Sequence, residues 1–264
     1  MRATTTQEFT GTRQALLILK LNTGQDMTRK PTGTKATSTS PNTCHNWGMQ
    51  NSQNTIEWIV ANGNVIFESV GILAFALSGL LESARKKLDL VGMAMVAALA
   101  AFGGGTLRDI LLDRRPFFWV QNVAWIFVIL GLCLLSLFFL RTRHLELTER
   151  AIQWPDAIGL GVFSAGGTQI ALGEHMPAII AVIMGTLTAV FGGVARDIAV
   201  NQIPKLFIDH QPYAVVSFTG CWIVVIGDWL TWPSVVSLGL SAIVIIALRM
   251  CAVLFGWRLP TWRV

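Results

Sequence analysis

Charge is what this sequence has least of. Only 13% of its 264 residues are Asp, Glu, Lys or Arg, while 53% are hydrophobic and the mean hydropathy is +0.56. Soluble domains average about 25% charged, so too few ionic groups are present to solvate a globule of this size, and a water-soluble fold is excluded. Cysteine is scarce too. Cys133, Cys221 and Cys251 sit inside apolar runs and Cys44 stands alone in a polar stretch, so there is neither a disulfide framework nor a CxxC metal site. The thiols read as small hydrophobes. His45, His144, His175 and His210 are scattered, with no pair at ligand spacing, and no GxSxG, HExxH or Walker motif occurs. No enzyme activity, metal or cofactor is therefore expected. The net charge of +5 would suggest nucleic acid in a soluble protein. Here the basic residues lie between apolar segments, where topology determinants belong, and no nucleic-acid partner is expected.

What the sequence does have is apolar segments. Residues 1–55 are polar, and their one apolar patch, Ala15–Leu19, is too short to span a bilayer; a disordered extension is expected, with Met49 a plausible alternative start. Seven segments follow, Asn64–Leu81, Leu90–Leu112, Val120–Leu140, Asp156–Leu172, Pro177–Val200, Ala214–Leu230 and Pro233–Leu254. As helices rising 1.5 Å per residue, each crosses or nearly crosses a hydrocarbon core of about 30 Å. The expected fold is an all-α integral membrane protein with seven transmembrane helices. Trp119, Trp154, Trp229, Trp232 and Trp257 fall at segment ends, as an interfacial aromatic belt requires. Basic residues in the connections number nine on one side, including Arg85, Lys86, Lys87, Arg141 and Arg143, against Arg114 and Arg115 on the other. That asymmetry places the amino terminus outside and the carboxyl terminus in the cytoplasm.

The chain also repeats itself. GGTLRDILLDRRP at Gly104–Pro116 aligns without a gap on GGVARDIAVNQIP at Gly192–Pro204, at an offset of 88 residues. The same offset carries Glu68 onto Asp156, Gly71 onto Gly159, Phe75 onto Phe163 and Gly79 onto Gly167. Three crossings fit in that offset, and an odd number inverts the second copy. The expected organisation is a first three-helix repeat over 62–146, an inverted second over 152–232, and a seventh helix over 233–255 that completes the packing or an oligomer contact. Inverted repeats build their functional path at the repeat interface, from helices interrupted by Gly or Pro.

Within the repeats, Gly103, Gly104 and Gly105, and then Gly192 and Gly193, lie inside apolar segments. They mark either an unwound turn lining a polar cavity or a close helix crossing. Each cluster is followed by an Arg-Asp pair, Arg108-Asp109 and Arg196-Asp197. Charges at membrane depth are costly, so they face a cavity or a partner, or staple helices together and snorkel. Neighbours on a helix point about 100° apart, so partners outside the pair, across the repeat interface, are expected for both arginines. Glu68 and Asp156 are acids near helix starts, either cation-attracting groups at two mouths or partners of the helix dipole. Ser78, Gly79, Gly166 and Gly167 are small-residue sites midway along the first helix of each repeat, at kinks facing the path or at packing contacts.

AFALSG at Ala74–Gly79 together with GGGTLRD and FGGVARD resembles the bacterial branch of the trimeric intracellular cation (TRIC) channel family, whose domain is also described as a glycine transporter domain. The resemblance covers about residues 62–255. It implies a homotrimer in the plasma membrane, with a separate potassium-permeable path through each protomer and glycine-broken second and fifth helices around it. It also implies that the breaks fall on Gly103–Gly105 and Gly192–Gly193 and the polar network on Arg108, Asp109, Arg196 and Asp197. Phe191 stands where the first repeat has Gly103. Beside a monovalent-cation channel, the residues also suit a secondary transporter of a small zwitterion such as glycine, whose carboxylate a guanidinium could hold.

Overall fold

The computed structural model describes residues 42–142, 149–208 and 212–257. The chain divides into two units, 1–49 and 50–264. Of the first, only the opening residues of a helix fall among those described; most of the expected disordered extension, 1–41, lies outside them, as do His144 and His210.

All regular structure among the described residues is helical. In chain order the helices are α1 (Asn42–Arg85), α2 (Leu90–Leu111), α3 (Phe118–Gln121), α4 (Ala124–Thr142), α5 (Glu149–Gly173), α6 (Ala178–Ala199), α7 (Lys205–Ile208), α8 (Tyr213–Trp229) and α9 (Ser234–Phe255). Helix α1 thus begins at Asn42, upstream of the expected boundary at 55. Four stretches are long and apolar enough to cross a membrane, Val65–Arg85 of α1, α2, α6 and α9. Helices α4, α5 and α8 occupy the other three expected segments. The described apolar part of α4 and the whole of α8 are shorter, and α5 opens on Glu149 and Arg150. Large apolar side chains such as Phe127, Ile243 and Leu254 stand exposed around the bundle, a surface that suits hydrocarbon and not water. Trp154, Trp229, Trp232 and Trp257 are exposed at helix ends.

The internal repeat extends to backbone detail. Helices α1 and α5 are each followed, two residues past the end, by a residue in the left-handed region, Lys87 (φ 57°) and His175 (φ 58°), and α2 and α6 likewise by Asp113 (φ 50°) and Asn201 (φ 56°). Each pair obeys the 88-residue offset. So do the closing bonds, in which the N–H of Leu88 and of Met176 donates to Ser83 and Ala171, and that of Arg114 and of Gln202 to Asp109 and Asp197. Capping turns of this kind satisfy last-turn carbonyls that the helix leaves open.

Side-chain packing between the copies is reciprocal. A Cβ on Gly71 would meet Phe163 at 2.5 Å and one on Gly159 would meet Phe75 at 2.8 Å. A Cβ on Gly104 would strike the Thr188 carbonyl at 1.9 Å, and one on Gly192 the Ala100 carbonyl at 2.8 Å. Exchange of equivalent partners is what a two-fold relation between the repeats produces. Helices α2 and α6 therefore cross backbone to backbone at these glycines. Both continue as α-helix through Gly103–Gly105 and Gly192–Gly193, so the clusters serve a close crossing and not an unwound turn. The ninth helix, which has no counterpart, packs on α5 and α8, where Gly161 and Gly220 admit Ile246 and Ile245.

Candidate functional site

The repeated Arg-Asp pairs form two buried centres. In the first, Arg108 of α2 is 3% exposed and reaches two carboxylate oxygens. Its Nε donates to Asp109 Oδ1 at 2.9 Å, and its Nη2 lies 2.8 Å from that same oxygen and 3.3 Å from Glu68 Oε1 on α1. In the second, Arg196 of α6 repeats the arrangement. Its Nε donates to Asp197 Oδ1 at 2.9 Å, its Nη2 lies 2.8 Å from that oxygen, and its Nη1 donates to Asp156 Oδ1 on α5 at 2.7 Å. Arg196 Nη1 also donates to Ser78 Oγ on α1, a bond that crosses from one repeat to the other.

Two expectations are corrected by this geometry. Each arginine does pair with the aspartate beside it, because the long side chain folds back so that one edge of the guanidinium meets the carboxylate; the angle between adjacent Cβ directions does not limit so long a chain. The acids Glu68 and Asp156 are arginine partners rather than free groups at two mouths, with side chains 28% and 8% exposed.

The aspartates have a second task. Asp109 Oδ2 accepts from the Phe118 N–H at 3.1 Å, and Asp197 Oδ2 from the Lys205 N–H at 3.0 Å. Each thereby holds the first residue of a short helix, α3 or α7, over the end of the long helix that carries the aspartate. Carboxylates satisfy helix-opening N–H groups well, and here the same carboxylate also balances a buried guanidinium. The second glycine of each pair makes room for an aromatic from the segment that follows. Gly105 faces Phe118, over which Arg108 lies at 5.7 Å, and Gly193 faces Tyr213.

The remaining sequence candidates divide among these features. Gly166 and Gly167 border a cavity of about 20 Å³ beside Glu68 and Arg108. Gly79 packs on the backbone of Ala97 and Val96, and Gly167 likewise on Gly185. Gly104 and Gly192 form the crossing. Gly103 is apart from both centres and lines an apolar groove with Met95, Leu99, Phe102 and Phe191.

Three residues of the site were not singled out from the sequence. Tyr213 and Arg249 line the second centre's cavity of about 10 Å³ with Asp156 and Arg196, and the Arg249 guanidinium lies 4.7 Å from the centroid of the Tyr213 ring. The signal for Arg249 was its position as a charge inside the seventh apolar segment. Glu82 is fully buried at the end of α1, 3.9 Å from Arg85 and 4.0 Å from Lys205. It falls just past Leu81, the end of the first apolar segment as bounded by sequence.

Comparison with known proteins agrees with this internal duplication. The family model described as "Glycine transporter" matches twice, over residues 65–141 and 153–229, the two matches separated by the same 88 residues. The UPF0126 inner membrane protein YadS of Escherichia coli (strain K12) is 31% identical over 195 residues, covering 73% of this chain and 93% of that protein. A UPF0126 membrane protein of Vibrio cholerae serotype O1 is 36% identical over 155 residues, covering 59% of this chain and 64% of its own length. Among solved structures, the TRIC trimeric intracellular cation channel orthologue from Rhodobacter sphaeroides superposes with a TM-score of 0.68 at 29% identity, over 74% of this chain and all of that one. With its apolar helices and its twice-matched family model, the chain is a multi-pass membrane protein that belongs to the glycine-transporter family, the family of the TRIC channels.

Proposed function

We propose that the protein is a potassium-permeable monovalent cation channel of the inner (plasma) membrane, with one pathway in each protomer of a lipid-embedded homotrimer. Helices α1, α2, α4, α5, α6, α8 and α9 are its seven crossings, with the amino terminus outside and the carboxyl terminus in the cytoplasm. The pathway runs between the repeats, past Glu68, Arg108 and Asp109 at one end and Asp156, Arg196 and Asp197 at the other, with Ser78, Gly79, Gly166 and Gly167 between them. Of the glycines Gly103–Gly105 and Gly192–Gly193, Gly104 and Gly192 set how closely α2 and α6 approach beside it, and Gly105 and Gly193 seat Phe118 and Tyr213.

The observation that carries this reading is the pair of buried Arg-carboxylate centres at equivalent positions of the two repeats. Charges so far from water are expensive to insert, and a packed core alone would not need them in duplicate. The likeness to a cation channel orthologue supports the choice of ion class.

A second reading draws on the family description and on the guanidiniums. In a secondary transporter of a small zwitterion such as glycine, the substrate carboxylate would displace Glu68 or Asp156 from its arginine. Liposomes separate the two. A channel releases potassium down its gradient and accumulates no glycine, whereas a transporter gives saturable glycine uptake that stops in Arg108→Ala/Arg196→Ala and carries no passive current.

A further inference from the structure

The two centres share the Arg-Asp pair and an acid from the first helix of the repeat, but they differ in what else the arginine meets. Arg196 donates to Ser78 as well as to Asp156, and the residue equivalent to Ser78 is Gly166, which has no side chain to offer Arg108. At that place lies the cavity of about 20 Å³ bounded by Arg108, Glu68, Gly166, Gly167 and Phe163. Crowding does not account for the glycine, because a Cβ on Gly166 would meet nothing within 4 Å. The rest of this centre is looser in the same sense. Arg108 reaches Glu68 at 3.3 Å where Arg196 reaches Asp156 at 2.7 Å, and the Glu68 side chain is the more exposed of the two acids.

The cavity wall is otherwise apolar, with Phe67, Val162, Ile170 and Leu238 beside Phe163, but the Glu68 carboxylate and the Arg108 guanidinium border it together; a space of this size takes about one water, which bridges a guanidinium and a carboxylate nearly as well as a hydroxyl does but exchanges. We propose that Gly166 makes the Glu68–Arg108 centre the exchangeable one of the two. A water there takes the place that Ser78 fills opposite Arg196, and the Glu68–Arg108 contact is the one that parts to pass a monovalent cation, while Ser78 keeps the Arg196 centre clamped. When Glu68 turns to the ion, the water is left as acceptor for Arg108, so the guanidinium is never stranded in a dry site. The inference rests on the cation-pathway reading above and assigns Gly166 as a positioning residue of that path.

The test is Gly166→Ser beside Gly166→Ala, with potassium flux from liposomes and thermal stability of the same preparations as readouts. The serine variant is expected to lower flux about tenfold, the factor that one hydrogen bond to a charged group supplies, and the alanine variant, which adds a methyl but no hydroxyl, to lower it several times less. The melting temperature is expected to rise more for serine than for alanine, against their order as helix formers, because the hydroxyl bonds Arg108. Serine flux equal to the parent's, or equal losses in serine and alanine, overturns the proposal. Absence of potassium flux in the parent overturns the pathway reading; the melting order then still decides whether Arg108 accepts a partner at Gly166, and alanine above serine says that it does not.

Discussion

Phe75 and Phe163 lie ring to ring at 5.3 Å, and each rests on the glycine one helical turn before the other, Phe163 on Gly71 and Phe75 on Gly159. All four residues obey the 88-residue offset, so the pair sits where the two repeats meet symmetrically. Gly71→Ala and Gly159→Ala push a methyl into a buried ring and are expected to cost about 1–3 kcal/mol each. Trimming the facing ring, Phe163→Leu for the first and Phe75→Leu for the second, is expected to restore part of that loss. Double-mutant cycles by thermal unfolding in detergent check it; strict additivity would mean that the rings do not meet those glycines.

Gly104 and Gly192 offer no such rescue, because the opposing atoms are backbone. The Thr188 carbonyl would lie 1.9 Å from a Cβ on Gly104, and the Ala100 carbonyl 2.8 Å from one on Gly192. Gly104→Ala is expected to abolish recovery of folded, monodisperse protein, and Gly192→Ala to reduce it. Size-exclusion profiles of the two variants measure the order.

The arginines are not equivalent in stability. Arg196→Ala takes from the buried Asp156 and Asp197 the one guanidinium that bonds them both and is expected to cost about 3–5 kcal/mol. Arg196→Lys recovers little, since one ammonium cannot serve Ser78, Asp156 and Asp197 with the geometry of a planar fork. Arg108→Ala is expected to cost less, because Glu68 is 28% exposed and can hydrate. Denaturant titrations of the three variants rank them.

Much of this architecture is legible before any coordinates. Apolar length locates the helices, because a lipid-facing helix needs little else, and the offset between Gly104–Pro116 and Gly192–Pro204 reveals the duplication. Three things are not legible. That Arg108 pairs with Asp109 depends on how a flexible side chain folds back, which helical spacing does not determine. That the glycines carry a crossing rather than a break depends on which backbone lies opposite, here Thr188 and Ala100, and the sequence has no signal for that. The caps that Asp109 and Asp197 place on α3 and α7 depend on the path of loops only a few residues long. Arg249 is a different matter. A lone arginine in an apolar segment is a readable signal, and it belongs beside Tyr213 at the second centre.

The most direct measurement is the reversal potential of current through the purified protein in a planar bilayer with unequal potassium chloride on the two sides. A current without any coupling gradient is expected, reversing near the potassium equilibrium potential and falling in Gly166→Ser. A silent bilayer from protein that takes up glycine saturably in liposomes would contradict it.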